Sequence, residues 1–262
     1  MYGSKRLAVV TGASSGIGAE LTNLFVHDGY DVIAVAEGIE PHCYADYPDG
    51  LAGTITAVQA DLRTTEGVDT VVAAVDNDGR ALSAAALNAG IGCGGTFAET
   101  DLADIMSVID LNIRGTVRLA SFVVRHMLAR GSGRILITSS VASMMPGPNH
   151  VVYNATKSFL QSFAEGLASE ASDGGVTVTA LMPGPTDTQF FRRAGLENTI
   201  MGRLDKDEPA AVARAGYDAM NNGKRKVVAA SVLSKAMAAV STVTPDSVKA
   251  RAHRILAEPS DD

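Results

Sequence analysis

The sequence predicts a single α/β domain, and three observations carry that expectation. The chain has 262 residues, 46% hydrophobic and 19% charged, which is enough apolar material for one large buried core. Short apolar runs alternate with stretches of helical periodicity along most of its length. The first such unit joins the apolar run Arg6–Val10, the turn T-G-A-S-S-G-I-G at Thr11–Gly18 and a helical pattern over Ala19–His27. Strand, glycine turn, helix is the order that brings unpaired helix N–H groups to a phosphate.

Charge and cysteine usage exclude several classes. With 22 Lys and Arg against 29 Asp and Glu, the net charge is −7, which disfavours a nucleic-acid partner. The K-R-K at Lys224–Lys226 is too short to change this and reads as a solvated strand entry. Cys43 and Cys93 form neither a disulfide framework nor a metal set, and five scattered histidines offer no ligand spacing, so no metal is expected. The residues after Met1 run directly into the glycine turn without a signal-peptide cleavage pattern. No apolar run is long enough for a bilayer, so the expected compartment is cytoplasmic, with no membrane partner.

The remaining elements follow in order. In the turn, Gly12 permits the reversal, Gly16 lets backbone approach a pyrophosphate and Gly18 allows close helix–strand packing, although a plain chain reversal would use the same letters. Asp31–Ala36 is a second strand ending at Glu37, and Glu40–Gly53 a loop. Thr54–Ala60 is a third strand running into Asp61-Leu62. Thr65–Val75 is amphipathic, with Val68, Val71, Val72 and Val75 inward. Leu82–Leu87 is a fourth strand leading to N-A-G at Asn88, Ala89 and Gly90, where Asn88 can tie neighbouring strands together. In Ile91–Gly95, Cys93 either lines a pocket or is a buried bystander. Leu102–Arg130 is helical, as two helices or as one with a bend near Asn112–Gly115. An asparagine there is unfavourable on propensity, and that cost suggests a use.

Gly133–Ser139 is a fifth strand whose end presents Ser140. A helix continuing to Ala171 carries Tyr153 and Lys157, four residues apart and therefore on one face. A free phenol, pKa about 10, is a poor base at neutral pH, and a neighbouring ammonium favours its ionised form. Alone, the spacing also describes an ordinary helix-surface pair. Val176–Met182 is a sixth strand feeding P-G-P-T-D-T at Pro183–Thr188. Phe190, Phe191, Leu196, Ile200 and Met201 are apolar residues in a polar stretch, which suits a lid over an apolar substrate. Pro209–Met220 is a helix, Val227–Ala230 a last strand, and Leu233–Val243 and Pro245–Leu256 are two further helical patterns.

Taken together, T-G-x-x-x-G-I-G, N-A-G, Asn112, Ser140, Y-x-x-x-K and Pro183-Gly184 resemble the short-chain dehydrogenase/reductase family over roughly Lys5–Thr188. The resemblance implies a Rossmann-type doubly wound parallel sheet of about seven strands with helices on both faces. Residues 5–188 would be the cofactor-binding and catalytic core, 189–225 a substrate lid, and 226–262 the last strand and C-terminal helices. It implies a nicotinamide cofactor and interconversion of a secondary alcohol and a carbonyl compound, the substrate being a mostly apolar small molecule. By the same resemblance, Tyr153 exchanges the proton, Ser140 bonds the substrate oxygen, Lys157 lowers the phenol pKa and holds the ribose, and Asn112 completes a proton relay. Gly12, Ser14, Ser15, Gly16, Ile17 and Gly18 would hold the pyrophosphate, and Asp61 and Leu62 the adenine. Asn88, Ala89 and Gly90 would lie under the cofactor, with Pro183, Gly184, Thr186 and Thr188 at the nicotinamide. Glu37 can accept from ribose hydroxyls and would repel a 2′-phosphate, and Ser15 is not basic, so NAD is expected over NADP. The alternative for Glu37 is a solvated loop acid. Leu87 replaces the first asparagine of the usual N-N-A-G, and the C-terminal region lacks the family's glycine-rich final strand. A homodimer through the Leu102–Arg130 and Tyr153–Ala171 helices, or a homotetramer, is expected.

Overall fold

The computed structural model describes residues 5–38, 53–203, 205–229 and 244–258. Its strands are Arg6–Thr11 (β1), Tyr30–Ala36 (β2), Ile55–Gln59 (β3), Leu82–Leu87 (β4), Gly133–Thr138 (β5), Val176–Pro183 (β6) and Lys226–Ala229 (β7). All pair in parallel in the order β3-β2-β1-β4-β5-β6-β7. This is the doubly wound arrangement that the resemblance implied, and its order reverses between β1 and β4, leaving a crevice above their carboxyl ends.

The helices are Gly16–His27 (α1), Thr65–Asp78 (α2), Leu102–Ile109 (α3), Thr116–Arg130 (α4), Val151–Ala171 (α5), Phe190–Arg193 (α6), Ile200–Arg203 (α7), Pro209–Asn221 (α8) and Asp246–Ala257 (α9). Alternation along β1 shows how the sheet is covered. Leu7 and Val9 join the core that contains Val68, Val71, Leu119, Val123, Leu160 and Ala164 from α2, α4 and α5. Ala8 and Val10 face Leu21, Phe25, Val212 and Tyr217 from α1 and α8. A period of two therefore sends each strand into two cores, which is why these strands read as continuous apolar runs.

Boundaries moved by a few residues. Helix α1 begins at Gly16 rather than Ala19, β3 is shorter at both ends, and α2 runs on to Asp78. The bend expected near Asn112 is one turn of π-helix, Asp110–Gly115, between α3 and α4. Most of the Glu40–Gly53 loop, Cys43, Ala230 and the Leu233–Val243 pattern lie outside the described residues, as does the Met201 side chain. Among the described residues no helix is long and apolar enough to cross a membrane.

Candidate active site

A cleft of about 660 Å³ opens above the switch point, and one side of it is the turn after β1. Gly12 and Gly16 have φ of +67° and +54°, a region that side chains disfavour. A Cβ on Gly18 would sit 2.0 Å from the carbonyl oxygen of Gly12, so α1 can start this close to β1 only without one. Ser15, at the start of α1, makes no side-chain cap. Gly12, Ser14, Ser15, Gly16 and Ile17 line the cleft with Asn88, Ala89 and Gly90, while Gly18 lies behind the turn. Asn88 ties the strands together as expected: its Nδ2 donates to Thr11 O at 3.2 Å, and its Oδ1 accepts from Thr138 Oγ1 at 3.0 Å. Thr11 is a supporting residue that sequence reasoning passed over. Its Oγ1 accepts from the backbone N–H groups of Asn88 and Ala89 at 2.9 and 3.0 Å, fixing the N-A-G turn against β1.

Tyr153, Lys157 and Ser140 meet at the floor of the same cleft. Ser140 follows the end of β5 and begins the 3₁₀ turn Val141–Met144, accepting from Ala142 N at 3.1 Å. Tyr153 is 8% exposed and Lys157 4%, both on the inner face of α5. Lys157 Nζ lies 5.6 Å from the centre of the Tyr153 ring and donates to Thr138 O at 3.0 Å. Burial pushes the phenol up to about 12, opposed by the Ser140 hydroxyl. Burial also pushes the ammonium down, to about 8. Desolvation therefore dominates at the phenol, which holds its proton at neutral pH.

Asn112 is fully buried in the π-turn. Its Oδ1 accepts from Ile91 N at 2.9 Å, and its Nδ2 donates to Ile91 O at 2.9 Å and Thr156 Oγ1 at 3.0 Å. The asparagine thus pins the chain just after N-A-G to α5. Asn112 Oδ1 and Lys157 Nζ both flank Gly90, at 3.1 and 3.2 Å from where a Cβ would sit.

At the other side of the crevice, Pro183, Gly184, Thr186 and Thr188 line the cleft, Gly184 N donating to Ala229 O at 3.1 Å. Any Cβ on Gly16 would come within 2.7 Å of Thr188 Cγ2, so the β6 end and the glycine turn close on each other. Glu37, Asp61 and Leu62 do not line this cleft. Glu37 is paired with Arg63, which also holds Asp61 through Nε at 2.8 Å and Nη2 at 3.0 Å. That ion pair lowers the Asp61 carboxyl and puts beside the carboxyl end of β2 a cation that sequence reading did not assign there. Leu62 is buried beneath Gly115.

The open end is walled by Met145, His150, Phe190, Phe191, His253 and Leu256. Phe190 packs on Tyr153 with ring centres 5.0 Å apart, and Phe191, Ala194 and Leu196 form a small core of their own. Of the expected lid residues, Ile200 is 43% exposed. Cys93 is half-buried outside the cleft, as a bystander. The two histidines were missed, as was the place of helix α9 on this wall, although the helix itself matches the Pro245–Leu256 pattern. His150, the residue just before α5 and three before Tyr153, has at least a local signal in its nearness along the chain. His253 has none: Nδ1 meets Pro148 O at 3.0 Å and Nε2 meets Asn154 Nδ2 at 3.4 Å, contacts spanning about a hundred residues of sequence.

The family model for short chain dehydrogenases matches residues 6–198. Oxidoreductase UcpA of Salmonella typhimurium is 31% identical over 209 residues, covering 79% of this chain and 77% of that protein. Human retinol dehydrogenase 8 is 31% identical over 195 residues, 72% of this chain and 62% of that one. Among solved structures, a short-chain dehydrogenase from Sphingobium yanoikuyae in complex with NADPH superposes with a TM-score of 0.78 at 26% identity, covering 98% of this chain and 99% of that one. A putative NAD(P)-dependent gluconate 5-dehydrogenase from Beutenbergia cavernae with bound NADP gives 0.72 at 30% identity, covering 86% and 94%. The matched span includes the glycine turn, the π-turn asparagine and the tyrosine–lysine helix, and the chain is an oxidoreductase of the short-chain dehydrogenase family.

Proposed function

We propose that the protein is an NAD(P)-dependent oxidoreductase that interconverts a secondary alcohol and a ketone or aldehyde. The observation that carries this reading is the convergence of Ser140, Tyr153 and Lys157 on one cleft with the glycine turn. The positive-φ cradle at Gly12 and Gly16 and the uncapped start of α1 fit a dinucleotide pyrophosphate. Ser14, Ser15 and Ile17 of the turn, with Asn88, Ala89 and Gly90, would hold the dinucleotide, and Pro183, Gly184, Thr186 and Thr188 its nicotinamide end. When bound, that group supplies or accepts the hydride.

The chain's own residues handle the oxygen and its proton. Tyr153, protonated at neutral pH, donates to the oxygen in the reducing direction and receives the proton in the oxidising one. Ser140 hydrogen-bonds the same oxygen as charge develops on it. Lys157 brings a cation beside the phenol and would hold the ribose hydroxyls, and Asn112 fixes the backbone after Gly90. Phe190, Phe191 and Met145 exclude water and favour a mostly apolar substrate.

For the ribose end, Glu37 supports NAD, since its carboxylate could accept from a 2′-hydroxyl. One observation favours a second reading, NADPH-dependent carbonyl reduction: Arg63 sits on Glu37 and puts a cation beside the end of β2 that could bind a 2′-phosphate. Exposed Leu102, Met106, Leu128 and Phe159 on α3, α4 and α5 support a homodimer through these helices.

The test is oxidation of NADH and NADPH with a panel of ketones, alongside Tyr153→Phe. Turnover should fall about 10²- to 10⁴-fold in the variant while the dinucleotide Kd changes little. Near-normal turnover by Tyr153→Phe would overturn the assignment, and the ratio of kcat/KM for the two cofactors decides between them.

A further inference from the structure

The reaction as proposed leaves one buried polar group of the cleft unused. His150 is 3% exposed, lines the cleft and stacks on Tyr153, with ring centres 4.6 Å apart and planes at 22°. Its Nε2 has no hydrogen-bond partner among the described residues. The surroundings are apolar or aromatic: Phe190 lies 6.4 Å away between ring centres, and His253 6.5 Å. An orphaned buried nitrogen costs roughly 1–3 kcal/mol, which a phenylalanine at the same place would avoid.

The position of this ring is fixed from several directions. Asn149, the residue before it, is the one non-glycine among the described residues with positive φ, at 62°. Its carbonyl accepts from Gly95 N at 2.9 Å, and His150 N donates to Gly147 O at 2.9 Å. A Cβ on Gly147 would come within 2.3 Å of Asn154, whose Nδ2 donates to Met145 O at 3.2 Å. Helix α9 closes the arrangement from outside, through His253 on Pro148 and Asn154 and through Lys249 Nζ on Met144 O at 3.3 Å. A side chain that only filled space would not need so rigid a seat, whereas a binding group does.

We propose that the His150 imidazole hydrogen-bonds a second, uncharged oxygen of the substrate. The preferred substrates are then ketones or secondary alcohols that carry a further hydroxyl or carbonyl group on an otherwise apolar frame. This inference rests on the proposed alcohol–carbonyl reaction of the same cleft. Burial and the neighbouring His253 hold the imidazole neutral, with a pKa near 3, so it offers one donor and one acceptor and no charge to attract a carboxylate.

The experiment compares matched pairs, propiophenone with 2-hydroxypropiophenone and with 1-phenyl-1,2-propanedione, in the wild type and in His150→Phe. The phenylalanine keeps the stack and removes the hydrogen bond. The wild type should favour the bifunctional partner at least tenfold in kcat/KM. His150→Phe should lose about 10- to 100-fold with that partner, mostly in KM, and stay within threefold with propiophenone. His150→Gln, which keeps a donor and an acceptor, should recover part of the loss. An equal fall with both substrates, or no fall with either, overturns the inference and leaves the oxidoreductase reading standing. A wild type that binds NADPH or NADH yet reduces no member of the panel overturns both.

Discussion

Truncating Asn112 to alanine tests the link between the π-turn and the cleft. The side chain makes three hydrogen bonds of 2.9–3.0 Å in a fully buried position, two to the backbone of Ile91 and one to Thr156. At about 1 kcal/mol net for each, Asn112→Ala should cost about 3 kcal/mol. Full orphaning of the Ile91 groups would cost more, but Ile91 lines the cleft, and water there can replace part of what is lost. Thr156 keeps its own bond to Tyr153 O at 2.8 Å and is not orphaned. For a chain of this size the loss corresponds to roughly 6–12 °C in Tm. Urea unfolding followed by circular dichroism gives the free energy, and NADPH fluorescence titration gives the affinity, which should weaken because Gly90 and Ile91 lose their anchor. A destabilisation below about 0.5 kcal/mol with unchanged affinity would show that the asparagine does not hold the turn.

Three further outcomes are expected. Lys157 titrates near 8 in the folded protein against an ordinary lysine value of 10.5, so between those pH values the unfolded chain holds the extra proton and stability rises with pH. The difference in unfolding free energy between wild type and Lys157→Met should therefore move toward the wild type from pH 8 to 10, the Tyr153 contribution cancelling; a flat or opposite trend would contradict a buried, neutralisable lysine. Gly18→Ala drives a Cβ to 2.0 Å from a backbone oxygen and should cost at least about 2 kcal/mol in thermal unfolding, with loss of dinucleotide binding. Arg63→Ala frees Glu37 and should lower kcat/KM with NADPH about tenfold relative to NADH, a ratio read directly from initial rates; an unchanged ratio would remove Arg63 from cofactor choice.

Much of the cleft floor was legible because its geometry is local. Tyr153 and Lys157 share a face wherever a helix forms, and Ser140 sits at a strand end that its apolar run announces. The glycine turn reads in the same way: the same few residues that reverse the chain also open a helix toward the strand end. Asn112 showed itself as a residue unfavourable in its helix, and the π-turn is how the chain accommodates it. The partner of that asparagine did not show, since Ile91 lies 21 positions away and bonds through backbone that carries no residue signature.

From the sequence alone came the order of strands and helices, the glycine turn and the tyrosine–lysine pair, all set by periodicity and backbone sterics over a few residues. Tertiary structure alone decided that Arg63 neutralises Glu37, that α9 and His253 wall the cleft, and that burial raises the phenol and lowers the lysine. Those outcomes depend on which remote segments touch and on how much water they exclude, and neither quantity is written in the neighbourhood of any one residue.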